Sequence, residues 1–108
     1  MKRQVSWPFK AKLLRCVDGD TFDADVDLGF HVWKRVRFRL LDVDTPERGQ
    51  PGFVEATGKL EQLLASKLCD GFLDVECSKT GKYGRWLGRV GDVASKMQAW
   101  MERQDWFG

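Results

Sequence analysis

Several things are scarce in this chain of 108 residues, and each scarcity closes off a class of protein. There are three cysteines, Cys16, Cys69 and Cys77, with no CxxC pair among them, and one histidine, His31. That inventory argues against a structural zinc site, and an odd cysteine count cannot be fully paired within the chain. Each cysteine is expected to be a small buried or half-buried apolar residue in a reducing compartment. No apolar run approaches membrane-spanning length, and the N-terminal MKRQVSWPFKAK has basic residues without an apolar core. The reading is a cytoplasmic protein with no membrane partner. Repeats, low-complexity tracts and linkers are absent too.

What remains is an ordinary globular composition. Hydrophobic residues make up 43%, charged residues 31%, and the net charge is +2. The length suits one compact domain over residues 1–108. Charge of either sign is clustered. Basic residues dominate Lys34-Arg35-Val36-Arg37-Phe38-Arg39, and five aspartates fall within Cys16–Asp27, CVDGDTFDADVD.

Periodicity places these clusters on elements. Phe9–Val17 reads as a first strand ended by an Asp-Gly-Asp turn. Phe22, Ala24, Val26 and Leu28 then alternate with Thr21, Asp23, Asp25 and Asp27, and Gly29 opens a hairpin. Trp33–Leu41 alternates again, with Val36, Phe38 and Leu40 inward and the arginines outward. Leu60, Leu63, Leu64 and Leu68 mark a core-facing helix ending near Asp70-Gly71. Phe72–Cys77 and Trp86–Val90 read as strands flanking a basic loop, and Val93, Met97, Trp100 and Met101 as a closing helix. This order suits a mainly β, α+β fold: a five-stranded Greek-key barrel of OB type, with one helix between strands 3 and 4 and another at the C-terminus.

Asp23-x-Asp25-x-Asp27 has the opening spacing of an EF-hand loop. However, the sixth position is Leu28 where the turn needs glycine, and the twelfth is Lys34 where a bidentate glutamate is needed. These three are expected on the solvent face of a strand, paired with Arg35 or Arg37 across the hairpin. Asp18 and Asp20 differ, because a tight turn at a strand end can aim a side chain into a cleft. Downstream, Asp44 leaves the third strand just as Pro46 stops it. Asp44, the Thr45 carbonyl and Glu47 can then converge on one point.

Three motifs in order carry a resemblance: Val17-Asp18-Gly19-Asp20-Thr21, Phe38-Arg39-Leu40-Leu41-Asp42-Val43-Asp44-Thr45-Pro46-Glu47, and Lys82-Tyr83-Gly84-Arg85-Trp86-Leu87-Gly88. Together they resemble the staphylococcal nuclease, or thermonuclease, family over roughly Phe9–Val90. The resemblance implies an OB barrel and a Ca²⁺-dependent phosphodiesterase cutting DNA and RNA to 5′-hydroxyl and 3′-phosphate ends. Asp20 and Asp44, with the Thr45 carbonyl, would hold a single Ca²⁺, and other hard divalent cations suit the same oxygens. Asp18 would shape the turn behind them, and Glu47 would orient or deprotonate the attacking water. Arg39 and Arg85 would grip the phosphate, with Lys82 and Tyr83 on a neighbouring one. The implied partner is nucleic acid, preferably single-stranded.

Relative to that family, the Arg48–Phe53 and Ser78–Lys82 loops are short and the Asp27–Lys34 hairpin is long. The chain also stops before a further helix, which leaves either a monomer or a homodimer formed through the C-terminal region. The alternative function is an OB-fold module that binds single strands without cutting them.

Overall fold

The computed structural model describes residues 7–40, 43–79 and 86–104. Among them five strands close into a barrel in the order β1-β2-β3-β5-β4. The elements are β1 (Trp7–Asp18), β2 (Thr21–Asp27), β3 (Trp33–Leu40), α1 (Phe53–Ser66), β4 (Leu73–Lys79), β5 (Trp86–Arg89) and α2 (Val93–Glu102). β3 and β5 pair in parallel and all other neighbours are antiparallel, the closure expected of an OB-type barrel.

The long β1 serves two neighbours. Its first half pairs with β4, from Trp7↔Cys77 to Ala11↔Leu73, and its second half with β2. Register shifts between Leu13 and Arg15, and again between Cys16 and Asp18, let it curl from one to the other.

The alternation in β2 and β3 gives the barrel interior: Phe22, Ala24, Val26, Phe38 and Leu40 are all buried. The Phe22 and Phe38 rings meet at 5.4 Å. Leu28, expected on the same inward face, lies past the end of β2 and is 44% exposed. The chain has already entered the turn there, so strand alternation no longer governs it.

Helix α1 lays Ala56, Leu60, Leu63 and Leu64 against the core, and α2 adds Val93 and Met97. Burial of these side chains, each worth roughly 1.5–3 kcal/mol when complete, holds the helices to the barrel. α1 starts earlier than the leucine spacing indicates, behind Gly52 in left-handed backbone, and it ends at Ser66. Past Lys67 the helical phase is lost, so Leu68 points to solvent at 40% exposure instead of joining the core. Cys77 is buried and Cys16 half-buried, but Cys69, on the following turn, is exposed. Trp86 and Trp100 are half-buried against the core. No helix among the described residues is long and apolar enough to cross a membrane.

Candidate active site

The site is assembled where the β1–β2 turn meets the exit of β3. The Asp20 N–H donates to Asp18 Oδ1 at 3.1 Å, which tightens the turn. The Leu40 N–H donates to the Asp20 carbonyl at 2.8 Å, tying the turn to the last residue of β3. Between the two aspartates only glycine fits. A Cβ on Gly19 would stand 2.7 Å from the Ala56 Cβ and 2.8 Å from both the Cβ and Oγ1 of Thr45. The turn, the β3 exit and helix α1 are thereby in contact at one point.

Asp20 is buried to 9% exposure. Its Oδ1 accepts from Thr21 Oγ1 at 3.0 Å, and Oδ2 lies 3.8 Å from Arg39 Nη2. Burial first, and then the neighbouring Asp18 carboxylate, push its carboxyl up to about 6, against the pull of Thr21 and Arg39. This is a carboxylate short of positive charge. The same Arg39 Nη2 donates to Asp44 Oδ1 at 2.8 Å, so one guanidinium serves both candidate ligands. Asp44 itself is almost fully exposed.

Pro46 is buried and anchors the segment, while Glu47 stands exposed beside it. The Glu47 N–H donates to Gln50 Oε1 at 2.7 Å and the Gln50 N–H returns a bond to the Glu47 carbonyl at 2.9 Å, fixing the backbone that carries the acid. Asp18, Asp20, Arg39, Asp44, Thr45 and Glu47 line one cleft of about 690 Å³, which continues along Lys34, Arg35 and Arg37 of β3. Lys82, Tyr83 and Arg85 lie outside the described residues.

Asp23 corrects the expectation of a solvated acid. Pairing places it opposite Arg37, and it is buried to 8% exposure. Arg37 donates to it through Nε at 2.8 Å and Nη2 at 3.2 Å, and Arg15 through Nε at 3.2 Å. The Arg37 hydrogen bond, reinforced by Arg15, holds its carboxyl below the usual carboxylate range. Arg37 was legible from the hairpin register. Arg15 was not, because the bulge after Leu13 shifts which β1 residue faces Asp23. Of the outer acids, Asp25 meets Arg35 at 3.5 Å as expected, whereas Asp27 accepts from the Gly29 N–H at 2.8 Å and caps the turn instead of pairing across the hairpin.

The donors fit a hard divalent cation. Asp20 and Asp44 line the same cleft as Thr45, whose buried hydroxyl has no hydrogen-bond partner among the described residues. All are oxygens, the ligand type that Ca²⁺ takes. Among the described residues no group of three or more His, Cys, Asp or Glu could hold a metal alone, so such a site needs backbone, water or phosphate oxygens as well.

No family profile matches the chain. It is similar to protein ParB of Escherichia coli, 37% identical over 81 residues that cover 75% of this chain and 41% of that protein. Micrococcal nuclease of Shigella flexneri is 33% identical over 82 residues, 76% of this chain and 42% of that enzyme. An uncharacterized endonuclease of Escherichia coli O157:H7 is 31% identical over 90 residues, 79% of this chain and 53% of that protein. The chain thus spans about half or less of the curated relatives it matches. By its relatives, its ordered motifs and its barrel, the chain belongs to the staphylococcal-nuclease-like family.

Proposed function

We propose that the chain is a nuclease that hydrolyses phosphodiester bonds of DNA and RNA with the help of a divalent cation, Ca²⁺ being the best match to its oxygens. The observation that carries this reading is the single cleft in which Asp20, Asp44, Thr45, Glu47 and Arg39 come together. Nuclease names among the relatives support it.

Asp20, Asp44 and the Thr45 carbonyl would hold the ion, which supplies Lewis-acid polarisation of the scissile phosphate. With their charge taken up by a bound cation, Asp20 and Asp44 would no longer depend on Arg39, whose guanidinium would then be available to a phosphate. Arg39 is suited to that task, since its planar fork matches phosphate oxygens and it carries charge at any working pH. Glu47, exposed at the rim on a fixed turn, takes a proton from the attacking water. The water oxygen bonds to phosphorus in line with the P–O5′ bond, which breaks. The 5′-oxygen leaves with a proton from solvent, giving 5′-hydroxyl and 3′-phosphate ends. Arg39, joined by Arg85 in this reading, neutralises charge gathering on the phosphoryl oxygens.

Incubation of heat-denatured DNA and of RNA with purified protein, in Ca²⁺ and in EGTA, tests the proposal. Expected are fragments only with Ca²⁺, whose 5′ ends accept a kinase label without prior phosphatase treatment. Strands that are bound but left intact under both conditions would make the barrel a single-strand binder instead.

A further inference from the structure

The β2–β3 hairpin ends in a turn that its own residues are poorly suited to make. Val32 donates its N–H to the Gly29 carbonyl at 2.9 Å, which leaves Phe30 and His31 as the two central residues. Both adopt left-handed backbone, at φ 55° and 61°, directly after Gly29 at 84°. Hairpin turns of this kind favour Asn-Gly or Asp-Gly, because most residues with a Cβ resist positive φ. Local preference therefore does not account for a phenylalanine at the apex. Packing does not account for it either, since Phe30 is 98% exposed. Leu28, Val32 and Trp33 beside it are 44%, 50% and 46% exposed. A ring displayed in water on a strained turn is better placed for a partner than for the fold.

The position of the turn indicates which partner. β3 leads directly from Trp33 to Arg39, and Lys34, Arg35, Arg37 and Arg39 line the same cleft as Asp20 and Glu47. These cations are only partly engaged. Arg37 gives two of a guanidinium's five N–H donors to Asp23, and Arg35 makes one long contact of 3.5 Å to Asp25. At the far end, Trp33 is pre-set by stacking on Phe72, with centroids 6.0 Å apart and planes 23° from parallel. A cationic groove leading to exposed aromatic rings is how proteins hold single strands: the cations follow the backbone, and bases stack on the rings.

We infer that the β2–β3 hairpin is a distal binding site for single-stranded nucleic acid. A strand whose scissile phosphate lies at Arg39 runs along β3 and stacks bases on Phe30 and Trp33. This rests on the nuclease reading for the position of the scissile phosphate. The six residue steps from Arg39 to Trp33 span roughly 20 Å of strand. At about 3.4 Å per stacked nucleotide, about six nucleotides cover that distance. Affinity should therefore step up with length.

Fluorescence anisotropy with labelled strands of about four and about twelve nucleotides measures that step. The background is Glu47→Gln in Ca²⁺, so that strands are not consumed. The longer strand should bind about tenfold tighter, and Phe30→Asn or Trp33→Ala should remove most of that advantage. Phe30→Asn separates binding from folding, because asparagine tolerates positive φ and the melting temperature should hold or rise. A length advantage unchanged in both variants overturns the inference, while cleavage by the wild type would still uphold the nuclease reading. Loss of the advantage in a protein that cuts nothing would support the hairpin site and defeat the nuclease reading. A wild type that sediments as a dimer, and as a monomer only after Phe30→Asn, would assign the hairpin to a second copy and overturn the inference.

Discussion

Gly19 and Thr45 stand against each other, and the space between them excludes a methyl group: a Cβ on Gly19 would lie 2.8 Å from the Thr45 Cβ. The Ala56 Cβ closes the other side at 2.7 Å. These obstacles sit close to the backbone and cannot swing away as a long side chain would. Gly19→Ala should cost about 1–3 kcal/mol of stability through overpacking. It should also displace Asp20 from Thr45 and lower cleavage in the fully folded fraction. Urea denaturation alongside rate measurements checks both effects.

Asp23 should behave as a pH-dependent clasp. Its carboxyl titrates lower in the folded protein than in the unfolded chain, so it stabilises above the unfolded carboxylate range. That stability is lost as pH falls through the folded value. Asp23→Asn should cost about 1–2 kcal/mol at neutral pH, kept modest because Arg15 and Arg37 are largely exposed and recover hydration. Wild type and variant should converge in acid, where both side chains are neutral. Thermal melts from neutral pH down to the carboxylate range test this.

Cation binding should be visible in stability before any chemistry is measured. Ca²⁺ at a hundredfold excess over its dissociation constant should stabilise the wild type by about 2.7 kcal/mol. Asp20→Asn should lose most of that increment. In EGTA, the variant should be no less stable than the wild type, because it removes a buried charge whose ion-pair partner Arg39 stands 3.8 Å away, while the asparagine Oδ1 can still accept from Thr21 Oγ1. Differential scanning fluorimetry with and without Ca²⁺ reads both.

The thiols should separate in reactivity. Burial pushes Cys16 up to about 12 and Cys77 up to about 11, whereas Cys69 is exposed. A disulfide reagent at mildly alkaline pH should find one fast thiol, absent after Cys69→Ser.

Much of the barrel was legible because β2 and β3 alternate cleanly, and the period change at α1 set the first three strands apart from the last two. Boundaries failed where an element ended inside an apolar pattern. Leu28 and Leu68 continue their rows in the sequence but fall in turns. The carboxylates and Arg39 were found through motif order, and the cleft brings them together. Arg15 escaped because a bulge changes register without leaving a residue signature. Nothing in the sequence marks Phe30, since strain at its φ is a property of the backbone and not of composition.

The most direct test of the cleft as a nuclease centre is single-turnover cleavage of heat-denatured DNA in Ca²⁺ by wild type and Glu47→Gln. Binding of the uncut strand is measured in parallel. Expected is a rate about 10²–10⁴-fold lower in the variant, with strand affinity retained. Equal rates in the two proteins would contradict the assignment of proton abstraction to Glu47 and place the chemistry elsewhere.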